Sequence, residues 1–220
     1  YFAQIEEKLY FRGITEEVVD YLKEEYGDRF EYIAERDLFD YVYDGEIMRT
    51  LQGRKNSKKR NHINYFLTEY DGRFEYRLLG KEDFDDCRAL LDEWTINKEE
   101  NDNIEEGVDD ERSGIEKLFT HYDQICDRLK IAGIYIDGKL EAFTMGELLN
   151  KNMALIHIEK ANPEIRGLYP YINQQFLVHE FPEVEFVNRE EDMGIEGLRK
   201  AKLSYHPCKL VEKYTVREAN

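Results

Sequence analysis

A chain of 220 residues with 48 acidic and 31 basic side chains carries a formal net charge of −17, which argues against generic attraction to nucleic acid or anionic lipid. Hydrophobic residues make up 41%, with 16 Tyr and 12 Phe, so the chain can build a core for one large domain or two small ones, and much of that core should be ring packing. Cys87, Cys126 and Cys208 show no CxxC or Cys/His ligand spacing, and neither a run of ~18 apolar residues nor a signal-peptide pattern occurs, so the expectation is free thiols, a cytoplasmic location and no transmembrane segment in this chain.

The chain opens on Tyr1 rather than Met, which leaves open a segment upstream. Residues 9–13 (LYFRG) read as a strand. Thr15 can cap a helix over 16–26, with Val18, Val19, Leu22 and Tyr26 on one face, and Gly27 ends it. Residues 30–34 read as a strand, 37–44 as strand or loop, and 46–51 as one or two helical turns. The stretch GRKNSKKRNHINYF gathers Arg54, Lys55, Lys58, Lys59 and Arg60 in an otherwise acidic chain. Ser57 is the expected N-cap of a helix over 58–70. Cations at its start oppose the helix dipole, so the cluster either holds an anion or is a solvated basic face.

Residues 74–79 read as a strand and 82–96 as an amphipathic helix carrying Trp94. Residues 99–111 hold eight acids and no base and read as a solvated loop or frayed helix end. Helical periodicity resumes over 112–130. Strands at 131–136 and 140–149 flank Asp137-Gly138, a two-residue hairpin turn. A third strand covers 153–161. A helix over 168–181, a strand at 184–187, a helix over 195–201 and a last strand at 209–216 complete the order. This is an α+β, mixed-sheet pattern flanked by helices.

Strand alternation places Leu155, His157 and Glu159 on one face and Ala154, Ile156 and Ile158 on the other. In the preceding strand Glu141, Phe143, Met145 and Glu147 share a face. If Glu147 and His157 meet across the ladder, they form an acid/base pair able to deprotonate an attacking amine or hydroxyl. The alternative is a hydrogen-bonded core histidine beside an edge carboxylate. The stretch FVNREEDMGIEGLRKAKLSYHP (186–207) follows a strand's C-terminal end, where ligands commonly bind in α/β sheets. There Asn188 can polarise a carbonyl, Glu190 or Asp192 can take an ammonium, and Arg199 with Lys200 and Lys202 can hold phosphate or carboxylate. The competing reading is a salt-bridge network fixing a tight turn. The five histidines are scattered, and no metal-ligand spacing, GxGxxG, Walker loop or GxSxG occurs, so no metal site is expected.

The order of elements over 74–216 resembles the GNAT-like acyltransferase fold. GRKNSKKRNHINYF, GKLEAFTMGELL, IHIEKANPEIRGLYPYIN and VNREEDMGIEGLRKAKLSYHP together resemble a bacterial family of unassigned function. That family is related to the C-terminal catalytic domain of lysylphosphatidylglycerol synthase and is similar to the Fem aminoacyl transferases. The resemblance implies two GNAT-like units, a partial or divergent one at 1–70 and a C-terminal domain at 71–220. It implies an acyl or aminoacyl group moved from acyl-CoA or aminoacyl-tRNA to an amine or hydroxyl. Arg166 and Gly167 match part of the loop with which GNAT enzymes cradle CoA pyrophosphate at a helix N-terminus, but Tyr169 replaces its second small residue. Glu159 joins the substrate-binding set, and Tyr205 matches the late tyrosine many GNAT enzymes use as general acid, or is a core ring. Two other readings stand beside transfer. One is a catalytically silent domain binding an amino-acid-like or phosphate-bearing ligand. The other is an RNA-contacting module working through Arg54–Arg60. A small-molecule or aminoacyl substrate and tRNA are the expected partners; DNA is not.

Overall fold

Local signals account for most of the elements. The computed structural model describes residues 8–101 and 108–219, without the side chains of 97–101 and 108–110. In chain order these are β1 (Tyr10–Thr15), α1 (Glu16–Tyr26), β2 (Phe30–Ala34), β3 (Asp40–Asp44), α2 (Gly45–Thr50), α3 (Ser57–Glu69), β4 (Phe74–Leu78), α4 (Phe84–Asn101), α5 (Val108–Thr120), α6 (Tyr122–Ile125), β5 (Lys130–Ile136), β6 (Lys139–Asn150), β7 (Met153–Ala161), α7 (Leu168–Glu180), β8 (Phe186–Asn188), α8 (Glu196–Leu203), β9 (Lys209–Val211) and β10 (Lys213–Glu218). Asp137 and Gly138 join β5 to β6 with φ of +51° and +85°, the left-handed pair that a tight hairpin needs. The ends of the acidic run are helical, α4 to Asn101 and α5 from Val108, while 102–107 lies outside the described residues.

By packing, the chain forms two units, Tyr1–Tyr43 with Asn188–Asn220, and Asp44–Val187. The first joins the two ends of the chain and the second is continuous, so these units describe compactness rather than the 1–70 and 71–220 division implied by the family resemblance.

In the first unit a three-stranded sheet runs in the order β1-β10-β2. Helix α1 covers it through Val19, which packs with Phe30 and Val216 and against Leu22 and Tyr214. Val18 and Tyr26 are exposed instead, so the buried stripe is narrower than the four-residue face expected. The single strand expected at 209–216 is two. β9 pairs antiparallel with β3, Tyr41 opposite Leu210, and β10 pairs with both β1 and β2. The two strands belong to different sheets, and the break falls at Glu212.

In the second unit β4, β5, β6 and β7 are neighbours in that order, all antiparallel. One face packs on α4 and α5 through Phe84, Cys87, Leu91, Ile115 and Phe119, against Phe143, Met145 and Ile158 of the sheet. The other receives α7: a Cβ added at Gly146 would meet Phe176 of that helix at 3.1 Å. Helix α3 docks on α7 through Phe66, which is fully buried and lies 4.9 Å from the Tyr171 ring and 5.0 Å from Phe74. Burying such a ring contributes about 1.5–3 kcal/mol. Gly167 permits the approach. Its φ is +91°, and a Cβ there would sit 2.1 Å from the His62 carbonyl oxygen.

The register shifts at three points along β5, β6 and β7, one of them near the β6 end between Leu148 and Asn150. The register passes from Met145 opposite Ile158 to Gly146 opposite Ile156, which leaves His157 as an extra residue on β7. Likewise Ile134 faces Ala142 and Tyr135 faces Leu140, leaving Glu141 extra on β6. Each β-bulge turns the following residues to the other face. Ile158 therefore joins the α4/α5 side, whereas Ile156 meets Gly146 on the α7 side. The shared face expected for Ile156 and Ile158 is corrected accordingly.

Candidate functional site

The bulge at His157 brings its ring to Glu147. The His157 Nε2 to Glu147 Oε1 distance is 3.2 Å, with the side chains 25% and 34% exposed. Phe143 and Met145 of β6 face α4 and α5, and Glu147, two residues on, shares that side. Glu159 does not. It accepts from Asn173 Nδ2 of α7 at 2.7 Å, on the opposite face of the sheet. The grouping of Glu159 with His157 was an alternation argument, and the bulge overturns it.

Lys160, two residues beyond Ile158, shares its side of the sheet. It is buried, its ammonium lies 3.5 Å from the Trp94 ring centroid, and it donates to Glu111 at 2.7 Å. A lysine among apolar residues on a buried strand was the available signal, and it was missed.

Helix α7 begins just beyond β7. Arg166 is exposed; its Nε donates to His62 Nδ1 at 3.3 Å and its guanidinium stacks 4.6 Å from the Tyr65 ring. Gly167 is pressed against His62. Of the N–H groups that open the helix, that of Leu168 is already bonded to the Ile165 carbonyl, and Pro170 has none. The Tyr169 phenol accepts from Trp94 Nε1 at 3.0 Å and from the Ala161 backbone, and burial raises its pKa. A pyrophosphate cradle needs several free N–H groups converging on open space, and this helix start offers neither.

The basic cluster lies at the start of α3. Ser57 is its first helical residue rather than its cap; Asn56 precedes it and makes no side-chain cap bond. Arg60 turns away to the carbonyls of Leu51 and Gly53, closing the end of α2. Arg54, Lys55 and Lys58 are exposed and have no carboxylate partner among the described residues. Lys58, His62 and Tyr65 recur at helical spacing, and Lys59 is half-buried. The His62 pKa is lowered by burial first, then by Arg166, Lys58 and Lys59, so the ring sits in a locally positive field.

In the other unit, the stretch after Asn188 binds mainly to itself. Asn188 donates to Asp40 at 3.0 Å and accepts from the Glu190 N–H at 2.7 Å. Asp192, with a fully buried side chain, accepts from Arg36 at 3.2 Å, Tyr41 OH at 2.5 Å, Arg199 Nε at 2.8 Å and the Gly194 N–H at 2.9 Å. Burial alone would raise its pKa; the bonds from Arg199 and Tyr41 outweigh that and hold it well below the usual carboxylate range. Arg199 also reaches Asp37 at 2.6 Å. Lys202 donates to backbone carbonyls, and Tyr205 packs edge-on against Tyr43 with the Arg189 guanidinium 4.9 Å from its ring. Sequence reasoning missed Arg36 and Tyr41, which lie about 150 residues before their partner.

Among the described residues no group of three His, Cys, Asp or Glu could hold a metal ion, and no helix is long and apolar enough to cross a membrane. A family model described as phosphatidylglycerol lysyltransferase, C-terminal, matches residues 1–217. The chain belongs to this family. A conserved protein of unknown function from Bacteroides thetaiotaomicron is similar over 99% of this chain and 72% of its own, at 32% identity and a TM-score of 0.90. The L-PGS structure from Bacillus licheniformis shares the fold at 13% identity and a TM-score of 0.67, over 99% and 70% of the two chains. An uncharacterised protein of Mycoplasmoides gallisepticum is 25% identical over 179 residues, 80% of this chain. The chain spans about half the length of that relative, 55%. The fold is the mixed α+β, GNAT-like one.

Proposed function

We propose that this family member is an aminoacyl transferase drawing on aminoacyl-tRNA rather than acyl-CoA, with an amine or hydroxyl as acceptor. The observation that supports the choice of donor is the start of α7, where Tyr169 is turned to Trp94, Pro170 lacks an N–H and the His62 backbone lies against Gly167, a poor setting for a pyrophosphate. The exposed cations Arg54, Lys55 and Lys58, with Arg166 stacked on Tyr65, suit a phosphodiester backbone and an unpaired base. They do so locally, against the net charge of −17.

In this reading His157, oriented by Glu147, takes the proton of the attacking amine or hydroxyl. Attack on the ester carbonyl forms the new amide or ester, and the ribose oxygen leaves with a proton. Transfer from an activated ester needs little beyond a base, orientation and an oxyanion donor.

The test is to incubate the protein with radiolabelled aminoacyl-tRNAs and with acetyl-CoA, each with hydroxylamine and phosphatidylglycerol as acceptors. Aminoacyl transfer that exceeds spontaneous ester loss supports the proposal. Consumption of acetyl-CoA with aminoacyl-tRNA untouched defeats it.

A further inference from the structure

The turn that follows β8 is backbone-strained. Glu190 and Met193 have φ of +55° and +52°, a region that side chains other than glycine enter at a cost of order 1–3 kcal/mol. Such a turn persists only if something outside it holds it. Part of the hold is backbone pairing with β3, Arg189 N–H donating to the Tyr41 carbonyl at 3.0 Å and Tyr41 N–H to the Glu190 carbonyl at 3.1 Å, and the rest comes from α8. Lys202 is buried, 7% exposed, and its ammonium donates to three successive carbonyl oxygens, of Arg189 at 2.5 Å, Glu190 at 3.2 Å and Glu191 at 2.5 Å. Three N–H donors meet three acceptors, so the ammonium uses its full donor set on this turn. Tyr43 OH fixes the lysine's own backbone, donating to its carbonyl at 2.9 Å.

We propose that Lys202 is a positioning residue whose grip on three carbonyls sets the Arg189–Glu191 turn, and with it the placement of the Arg189 and Glu190 side chains. The grip is titratable. A neutral amine has two N–H donors and a lone pair, so on losing its proton Lys202 releases one carbonyl and turns a lone pair towards it. The groups facing the ammonium are known. Arg189 opposes its charge, while Glu190, Glu191 and Asp192 favour it, and the Tyr41 ring of β3 lies 5.8 Å away. Burial is the largest influence and brings its pKa down to about 8 from 10.5.

The sign of the accompanying stability change is opposite to the local loosening. A lysine whose folded value lies below its unfolded one gives up its proton first in the folded chain. Stability therefore rises with pH between about 8 and 10.5 while the turn relaxes.

The experiment is a carbon-detected titration of 13C-carbonyl-labelled protein between about pH 6.5 and 11.5. The carbonyl shifts of Arg189, Glu190 and Glu191 should move together with the Lys202 Nζ resonance, at one midpoint near 8, while those of β5 and β6 stay flat. In Lys202→Arg, which stays charged throughout, the movement should vanish. Flat carbonyl curves in the unmodified protein, a midpoint near the ordinary lysine value, or an unchanged titration in Lys202→Arg would each overturn the proposal. The unmodified protein alone decides the first two outcomes, so a variant that fails to fold does not shelter the idea. None of these readouts depends on the reaction or on the choice of donor.

Discussion

The Glu147–His157 pair and the Asn188–Lys202 turn are two strongly polar stretches of the chain, and they treat charge in opposite ways. In the turn, Asp192, Arg199, Lys202 and Asn188 bind chiefly one another and the local backbone. A carboxylate with four donors is committed, and a lysine holding three carbonyls is committed. At the β6/β7 bulge two titratable side chains meet while each keeps a quarter to a third of its surface in solvent. Charge density is thus a poor guide to chemistry. A buried ionic network is costly to break and gives little to a ligand, whereas a half-exposed pair on a bulged strand can still exchange a proton with one.

The sharpest way to break this contrast is Asp192→Ala. It leaves the buried Tyr41 hydroxyl, the Gly194 N–H and two partly exposed arginines without their acceptor and should cost about 1–3 kcal/mol in urea denaturation. A loss below about 1 kcal/mol would mean that the network is not what holds the turn. The same carboxylate predicts an acid dependence. Its folded pKa is depressed, so the stability it contributes is present above about pH 4 and drains away as pH falls through the folded value. Asp192→Asn should flatten that part of the acid denaturation curve.

Next in size is the effect on rate at the bulge. His157→Ala or Glu147→Gln should slow transfer at least about 100-fold and leave the midpoint of unfolding within about 1 kcal/mol, as suits a half-exposed pair. The reverse result, lost stability with turnover intact, would make the two regions alike. Gly167→Ala should destabilise by about 1–3 kcal/mol, from its positive φ and from the His62 carbonyl in the way. A neutral outcome by calorimetry would show that α3 and α7 are not locked there. The smallest effect is expected on the surface. Lys58→Gln with Lys55→Gln should weaken tRNA retention and reduce the salt slope by about 0.7–0.9 for each phosphate left without its cation, with the melting curve unchanged.

Much of the chain was readable one residue at a time. The Asp137-Gly138 turn, the meander on either side of it, α1, α7 and the order of elements all follow from periods of 2 and 3.6 and from the turn chemistry of glycine, aspartate and asparagine. These are short-range steric preferences, and they hold wherever the segment is placed. The Tyr169 departure was equally plain in the letters; that its phenol reaches Trp94 Nε1, 75 residues back, was not. Tertiary structure alone decided that 209–216 divides between two ladders, that Tyr41 meets Asp192, and that a one-residue bulge parts Glu159 from His157. Each of these is a choice of partner across a long stretch of chain. Such choices are settled by which backbone and side-chain groups can all be satisfied at once in the packed state, and no local window of sequence contains that information.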